Sequence, residues 1–429
     1  MSTSPLLWLG QTLRGKLGKY VIAKQVQETV WLAKDQTEQL VVIKGVQGHP
    51  RVQKERDNLK YFQSKTPFLR PLADEIEDPS DPAIIVLRHL DDHLLNASIK
   101  KTLNRKELKY VSRRILEALK VLHDANYVHT DVKLDNVFVN YKGHNDDNDN
   151  SIRFSDVQLG DLGAAYHADS NWARKGTPIG APMWSSPEVI METPWNTATD
   201  IWSFGTILIS LIYGGNFNLF RPKTVSYGHE EYGLEVLKQQ FRYFGPFPEK
   251  YHEIASPMTV SAILYLMQEI PRSKTTPFYL TTEREVCKED KKFIGKIMMM
   301  DWRDRPTVKE LLEDKVAAPS STTTASNACT KARAFRNPSL NPAPLNDLPT
   351  PQPLSARKRI SPWPPSQPII IREVLGEKLK PTPLPAAHDN LIHDRPKLPD
   401  VGVYRETLVI DCLHARVKRE DRYLAEITE

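Results

Sequence analysis

Cysteine is scarce in this sequence: its 429 residues contain only three, Cys287, Cys329 and Cys412. Three thiols so far apart do not form a disulfide framework, and their spacing does not match that of a zinc site. We therefore expect reduced thiols, which are typical of a cytoplasmic or nuclear protein.

Long hydrophobic runs are also missing. The N-terminal stretch PLLWLG is shorter than the apolar core of a signal peptide, and the longest later run, around residues 207–212, is too short to span a bilayer. The sequence therefore predicts a soluble protein without a membrane partner.

A strong excess of one charge is absent as well. The 58 Lys and Arg residues outnumber the 53 Asp and Glu residues only slightly, and no basic stripe with interleaved aromatic residues occurs. Nucleic acid is therefore not an expected partner. Hydrophobic residues make up 40% of the chain, which is ordinary for a globular protein.

The sequence divides into four parts by its pattern. An extension, 1–19, precedes a unit of β-branched and aromatic runs, 20–88, which predicts strands with one amphipathic helix in RVQKERDNLKYF. Apolar residues then recur at three- and four-residue steps, which predicts a mainly helical unit over 89–316. About half of the 33 prolines lie in the last part, 317–429, for which we predict a disordered tail with the pattern of one helix near its end.

Two helices of the helical unit have distinct signatures. The segment TATDIWSFGTILISLIYG is apolar nearly all round, which predicts a buried central helix. Thr307 and Glu310 have the spacing of a capping box, which predicts that a helix begins there.

Three short segments carry the candidate chemistry. The first is VVIK, which closes an apolar strand at Lys44; the second is HTDVKLDN, 129–136; the third is QLGDLG, in which Asp161 lies between a strand and a glycine. Each segment alone is a weak signal, since short motifs often match by chance. In this order and spacing, they match the catalytic loop and the metal-binding triplet of protein kinases.

The chain from about residue 20 to 316 therefore resembles the eukaryotic-type protein kinases. Glu188, which ends SSPE, resembles the glutamate that closes the activation segment, and Arg305 resembles the arginine that pairs with it. Asp200 resembles a buried aspartate that binds the catalytic-loop backbone. HTD, DLG and TVWLAKD resemble, more distantly, the SR-protein kinases, and the chain from GDLG to PWNTATDIWSFG is similar to a group of uncharacterised fungal kinases.

The resemblance implies a fold, an activity and two cofactors. The fold would be α+β and bilobal, with a small antiparallel β-rich N-lobe that holds one helix, 20–88, and a larger, mainly helical C-lobe, 89–316. The activity would be that of a serine/threonine-protein kinase, which uses ATP and Mg²⁺ and acts on a protein substrate. The oligomeric state is not implied.

Phosphoryl transfer explains the residue types of the catalytic loop, because the enzyme must place a hydroxyl in line with the γ-phosphate and neutralise charge on its oxygens. Asp131 would accept the hydroxyl proton, and Lys133 would reach the γ-phosphate. Asn136 and Asp161 would offer oxygen ligands to Mg²⁺.

The resemblance also implies residues that hold the nucleotide and the loops. Lys44 would bind the α and β phosphates, and Glu55, the only glutamate on the following helix, would fix Lys44. His129 and Gly163 would support the metal-binding triplet. The adenine side would be formed by Val30, Val42, Leu87 and Leu90.

Several positions depart from the family pattern. Where the nucleotide-covering loop has glycines, this chain has Ala23, Gln25 and Glu28, and side chains there narrow the approach of backbone amides to phosphates. Thr130 replaces the arginine that binds an activation-loop phosphate in many kinases. We therefore hypothesise that activity does not need phosphorylation at Ser170, Thr177 or nearby sites.

These departures leave three functions open: an active protein kinase, a pseudokinase scaffold that binds nucleotide without turnover, and a small-molecule phosphotransferase. The third is the weakest, because Glu188, Asp200 and Arg305 resemble protein-kinase scaffold residues. Ala181 stands where Ser/Thr kinases usually have a threonine, whereas Lys133 favours Ser/Thr over Tyr as the acceptor.

Overall fold

The computed structural model describes residues 7–47, 49–79, 81–143 and 151–314. These residues form a β-rich lobe followed by a larger, mainly helical lobe. The expected tail and its terminal helix lie outside the described residues. No helix in the described part of the chain is both long and apolar enough to cross a membrane.

The β-rich lobe is built on six antiparallel strands that close into a barrel in the order β1-β2-β3-β4-β6-β5. The barrel includes residues that precede position 20, where the sequence pattern begins the lobe, because Leu7 and Leu13 are buried in its core. The strands are β1 Thr12–Gly15, β2 Lys19–Gln27, β3 Val30–Asp35, β4 Leu40–Gly45, β5 Leu72–Asp78 and β6 Ile84–Arg88.

Alternation along the strands separates the barrel core from a second, outward face. Trp31 on β3 and Ile43 on β4 lie in the core cluster, and they are directly paired. Since successive side chains point to opposite faces, Val42 and Lys44 belong to the other face. The register places Val30 opposite Lys44, and Leu87 of β6 opposite Val42, so the candidate nucleotide residues of three strands share that face.

One helix, α1 Arg51–Phe62, joins β4 to β5, over the segment for which the sequence predicts a helix. Its buried residues Val52, Glu55, Leu59 and Phe62 recur at three- and four-residue steps. The helix therefore packs one face inward, and the only acidic residue on that face is Glu55.

The helical lobe begins with a two-residue strand, and its described residues contain nine further α-helices. α3 begins at a complete capping box between Asn104 and Glu107, and α10 begins at the predicted box between Thr307 and Glu310. The helices are α2 Leu94–Lys100, α3 Arg105–Asp124, α4 Asn171–Arg174, α5 Pro187–Ile190, α6 Ala198–Tyr213, α7 Tyr232–Phe244, α8 Pro257–Glu269, α9 Lys288–Ile297 and α10 Val308–Glu313.

The central helix of this lobe is α6, in which every residue from Thr199 to Leu211 is buried. Gly205 packs closely against α9, since a Cβ there would fall 2.6 Å from Ile297 Cγ2. The predicted buried central helix is therefore confirmed.

Two small sheets position the loops between strands. One has the order β10-β9-β7 and the other pairs β11 with β8. The chain between β8 and β9 is the HTDVKLDN segment, and the chain directly after β10 is GDLG. Both candidate loops therefore leave the ends of short strands. The strands are β7 Asp92–His93, β8 Tyr127–Val128, β9 Val137–Tyr141, β10 Phe154–Leu159 and β11 Tyr166–His167.

The predicted combination of an antiparallel β-rich lobe with one helix and a larger helical lobe is confirmed, with one refinement. The strands of the first lobe close into a barrel, which the short β-runs of the sequence do not indicate. Closure requires β1 to pair with both β2 and β5, and β1 spans only four residues.

A buried ion pair ties α5 to the C-terminal part of the helical lobe. Both guanidinium ends of Arg305 donate to Glu188, at 2.6 Å to Oε1 and 2.8 Å to Oε2. The two side chains are essentially without exposure, and Arg305 also donates to the backbone oxygens of Ala198 and Met299. The pair is bidentate and carries its own backbone acceptors, which is the geometry that offsets desolvation.

Removing one partner of this pair tests its structural role. Glu188→Gln leaves the Arg305 charge buried without its carboxylate, and we expect a loss of about 3–5 kcal/mol in the free energy of unfolding. The control is Glu38→Gln in the exposed Lys34–Glu38 pair, for which about 0.5 kcal/mol or less is expected. Urea unfolding followed by tryptophan fluorescence measures both, and equal midpoints for the two variants would contradict the assignment.

Candidate functional site

Helix α6 fixes the backbone of the HTDVKLDN loop through the side chain of Asp200. The carboxylate of Asp200 accepts hydrogen bonds from the backbone N–H groups of His129, at 2.8 Å, and Thr130, at 3.0 Å. It also lies 3.0 Å from His123 Nε2 on α3. Thr130 has a left-handed backbone conformation, with φ of 70°, so the chain turns sharply there. The backbone just before Asp131 is therefore held in a fixed position.

Asp131 is the centre of a short hydrogen-bonded group on this loop. Lys133 Nζ donates to Asp131 Oδ2 at 2.8 Å, and Asn136 Nδ2 donates to Asp131 O at 2.8 Å and to its Oδ2 at 3.1 Å. Because the amide nitrogen of Asn136 is directed at Asp131, the amide oxygen is directed away from it. Asn136 thus holds Asp131 and presents an acceptor on its other side.

Asp161 follows β10 in a constrained backbone position. Its φ is 63°, in the left-handed region, and a Cβ on the preceding Gly160 would fall 2.8 Å from the Phe138 ring. His129 Nε2 lies 3.0 Å from the Gly160 carbonyl oxygen. His129 is completely buried, so its contact links the catalytic loop to the triplet that contains Asp161.

Lys44 joins the two lobes through two carboxylates. Its Nζ lies 2.6 Å from Glu55 Oε2 on α1 and 2.8 Å from Asp161 Oδ1 in the helical lobe. Burial by itself lowers the pKa of Lys44, but the charges of Glu55 and Asp161 raise it, and it lies above its ordinary value. The ammonium is therefore held in its charged form.

The Asp161 carboxylate receives a second cation from the start of α1. Arg51 Nη2 lies 2.9 Å from Asp161 Oδ2 and 3.8 Å from Asp131 Oδ2. Burial raises the pKa of Asp161, but the charges of Lys44 and Arg51 outweigh burial and hold that pKa well below its ordinary range. Arg51 lies outside the three motif segments. Its four-residue spacing from Glu55 places both residues on one helix face, but that spacing does not indicate that Arg51 reaches Asp161.

Arg70 is a second site-adjacent residue that the motifs do not reveal. Its Nε donates to the Arg88 carbonyl at 2.8 Å, and its guanidinium lies 4.3 Å from the centre of the Phe138 ring that packs on Gly160. Burial lowers its pKa to about 10, although the charges of Glu55 and Asp161 act in the opposite direction. No sequence signal marks it, because an arginine just before a strand is usually a solvated charge.

The expected adenine residues lie where the register of the barrel places them. Val42 and Leu87 are buried and directly paired, and Leu90 is buried two residues beyond the end of β6. Val30 is half-buried opposite Lys44. These four side chains therefore lie on, or next to, the strand face that also carries Lys44.

The three positions without glycine lie on β2 and the turn after it. Ala23, Gln25 and Glu28 are all exposed, and Gln25 Nε2 donates to the Glu28 carbonyl at 3.4 Å. The end of β2 and the turn after it are therefore exposed, and they carry side chains at the positions where glycines would let backbone amides approach a phosphate.

The segment from Gly163 to Glu188 is held by hydrogen bonds and apolar packing. Thr130 Oγ1 donates to the Ala164 carbonyl at 2.6 Å, and Trp195 Nε1 donates to the Thr177 carbonyl at 2.8 Å. Ala173 of α4 is buried in a cluster with Val128, Val189 and Trp195. Gly180 lies so close to the catalytic loop that a Cβ would fall 2.5 Å from the Thr130 carbonyl oxygen.

The tip of this segment also contacts α1. Trp172 stacks on Tyr166, with ring centres 5.3 Å apart, and Lys54 Nζ lies 2.7 Å from the centre of the Tyr166 ring. Burial lowers the pKa of Lys54 to about 8. Helix α1, which carries Glu55, therefore contacts the 163–188 segment through Lys54 and the Tyr166 ring. This contact does not involve a charged residue of the segment.

The residues present suit a divalent cation that is shared with a phosphate ligand. In the described ranges, no group of three or more His, Cys, Asp or Glu side chains is arranged to hold a metal. The available donors are the Asp161 carboxylate and the Asn136 amide oxygen, which are the oxygen ligands that Mg²⁺ prefers. Two protein ligands leave most positions to water and phosphate oxygens, so the site fits Mg²⁺ with a nucleotide.

Comparison with known proteins agrees with this arrangement. Residues 26–317 match the family model described as the protein kinase domain. The chain is 33% identical over 111 residues to "Serine/threonine-protein kinase 4 homolog A" of Dictyostelium discoideum, which covers 26% of this chain and 22% of that protein. It is 35% identical over 115 residues to "Serine/threonine-protein kinase cst-1" of Caenorhabditis briggsae, which covers 27% of this chain and 21% of that protein.

The chain therefore spans about a fifth of the length of these curated relatives. The family match is much broader, because it begins within β2 and continues past α10. Since it covers more than half of the chain and includes Lys44, Asp131 and Asp161, this chain belongs to the protein kinase family.

Proposed function

We propose that this protein is an active serine/threonine-protein kinase, which transfers the γ-phosphate of ATP to a hydroxyl of a protein substrate. The observation that carries the proposal is the double ion pair of Lys44, at 2.6 Å from Glu55 and 2.8 Å from Asp161. Phosphoryl transfer in protein kinases requires the Lys–Glu ion pair to be formed and the aspartate of the metal-binding triplet to be in position for Mg²⁺. Here Lys44 and Glu55 are paired, and Asp161 lies at the same ammonium.

The catalytic group is Asp131, and its surroundings suit proton acceptance. The substrate oxygen attacks the γ-phosphorus in line, its proton passes to Asp131, and the bond to the β-phosphate oxygen breaks to release ADP. Lys133, 2.8 Å from Asp131, is placed to bind the transferred phosphoryl group. Asn136 and Asp161 would hold Mg²⁺, which supplies charge neutralisation between the phosphates.

The nucleotide would lie against the outward face of the barrel. Lys44 binds the α and β phosphates, and the adenine ring contacts Val30, Val42, Leu87 and Leu90, which share that face or follow it. Lys133 beside Asp131 favours Ser and Thr as acceptors. The compartment that we propose is cytoplasmic or nuclear.

The second candidate is a pseudokinase scaffold that binds nucleotide without turnover. Ala23, Gln25 and Glu28 favour it, because their side chains narrow the approach of the backbone amides to the phosphates, and Glu28 adds a negative charge there. The active kinase is the better supported of the two, since all five residues of the phosphoryl-transfer chemistry are present and held in two groups. Lys44 pairs with Glu55 and Asp161, and Asn136 donates hydrogen bonds to Asp131.

Replacing the proton acceptor separates the two candidates. Asp131→Asn removes the base but keeps the bond to Asn136 available, so we expect phosphate transfer to fall by about 10²–10⁴-fold while ATP affinity persists. Transfer of labelled phosphate to basic and Ser/Arg-rich peptides and ATP-dependent thermal shift measure the two effects.

Two further variants complete this test. Asp161→Ala is expected to abolish transfer and to reduce the thermal shift by Mg²⁺ and ATP, whereas Asp57→Asn, on the exposed face of α1, serves as the unaffected control. Wild-type protein that binds ATP but transfers no phosphate across a broad peptide library would favour the pseudokinase. Unchanged transfer in Asp131→Asn would contradict the assigned base.

Independence from activation-segment phosphorylation is a separate prediction. Because Thr130 donates to the Ala164 carbonyl and no arginine occupies its position, a phosphate on this segment has no cation there to bind. We expect phosphatase-treated protein to keep its activity within about threefold. Thr177→Ala is the matched variant, since the Trp195 bond is made to the backbone of Thr177 and remains. Loss of activity on phosphatase treatment, restored by rephosphorylation, would refute the prediction.

A further inference from the structure

Arg51 places one guanidinium nitrogen between the two carboxylates of the proposed reaction. Nη2 lies 2.9 Å from Asp161 Oδ2 and 3.8 Å from Asp131 Oδ2. In phosphoryl transfer, the metal-binding carboxylate and the proton acceptor flank the group in transit. The guanidinium therefore occupies the space into which the γ-phosphate of a bound nucleotide would enter.

The fold holds Arg51 at this place. Arg51 is the first residue of α1, one turn before Glu55, so the Lys44–Glu55 pair sets the position of that helix face. Its aliphatic stem crosses Gly163, where a Cβ would fall 2.6 Å from Arg51 Cγ and 3.0 Å from the Arg51 carbonyl oxygen. Gly163 thus leaves the channel through which the side chain reaches Asp161.

The side chain has unused donor capacity and room to move. Within the described residues, the buried Nε of Arg51 has no hydrogen-bond partner, while the side chain as a whole is 40% exposed. A guanidinium carries five N–H donors and suits the planar, bidentate binding of phosphate oxygens. A ligand rich in acceptor oxygens would accept hydrogen bonds from the N–H groups of Arg51 that the two carboxylates do not bind.

The charges around the site favour transfer of Arg51 from carboxylate to phosphate. Both Asp161 oxygens are engaged by cations, Oδ1 by Lys44 and Oδ2 by Arg51. A metal held by Asp161 would compete with Lys44 and Arg51 for these two oxygens. The released guanidinium then lies beside newly arrived phosphate oxygens, and β2 offers side chains and Glu28 there instead of a glycine cradle.

We propose that Arg51 is a γ-phosphate ligand, which pairs with Asp161 in the nucleotide-free enzyme and binds the terminal phosphate of ATP in the complex. This inference rests on the proposed nucleotide binding and deepens it by assigning a further phosphate-binding residue. Arg51 provides in side-chain form part of the stabilisation that backbone amides of a glycine-rich loop would give. It also makes the enzyme distinguish ATP from ADP.

The discriminating measurement is the affinity for ATP relative to ADP, both with Mg²⁺, by isothermal titration calorimetry. Arg51→Gln removes the charge-assisted bonds to the γ-phosphate, and we expect ATP affinity to fall about 10–100-fold. ADP lacks that phosphate, so its affinity should change less than about threefold. Arg51→Lys keeps the charge without the bidentate fork and is expected to lie between wild type and Arg51→Gln.

Arg56→Gln is the matched control, since Arg56 lies on the same helix but pairs with Asp57 and Glu75 away from the site. Thermal unfolding midpoints of the nucleotide-free proteins verify that each variant is folded. The control should leave the ATP-to-ADP affinity ratio unchanged.

Three results would overturn the inference. Equal losses of ATP and ADP affinity would make Arg51 a structural residue of α1. Tighter binding of Mg²⁺-ATP by Arg51→Gln, at lower Mg²⁺ concentrations than for wild type, would show that Arg51 only competes with Mg²⁺ for Asp161. An unchanged ratio with wild-type transfer would remove Arg51 from the site and leave the proposed function intact, whereas wild-type protein that binds neither nucleotide would overturn both proposals.

Discussion

The contact on which the candidate site depends is the ammonium of Lys44 between Glu55 and Asp161. Lys44 belongs to the barrel, Glu55 to α1 and Asp161 to the loop after β10, so one charge joins three separately formed elements. Two buried carboxylates would repel each other without it. The position of α1, and with it the reach of Arg51, follows from this pairing.

Support for this contact comes from the helical lobe. Asp200 on α6 fixes the backbone of His129 and Thr130, and His129 in turn contacts the Gly160 carbonyl next to Asp161. Apolar packing around Ala173 and the Thr130–Ala164 bond hold the activation segment, so its order does not require an added phosphate. Rigid placement of this kind is the main protein contribution to phosphoryl transfer, in which positioning and electrostatics dominate.

Much of the architecture could be predicted from local pattern. The α1 helix, the buried α6 and the Thr307–Glu310 capping box depend on side-chain periodicity and on groups only three or four residues apart. Closure of the barrel could not be predicted, since it depends on the short β1 pairing with β5, about sixty residues later in the chain. The role of Arg70 could not be predicted either, because its burial depends on tertiary packing.

The amino-acid sequence alone predicted the chemical types of the candidate site: a lysine ending a strand, the Asp131-to-Asn136 loop and an aspartate before a glycine. It could do so because each motif is a short segment of specific residue types, and the order of the motifs matches a known pattern. Only the tertiary structure decided that Arg51 joins them, because its partners Asp131 and Asp161 are 80 and 110 residues away and no local pattern encodes so distant a contact. The balance of charge at the site is therefore a property of the fold.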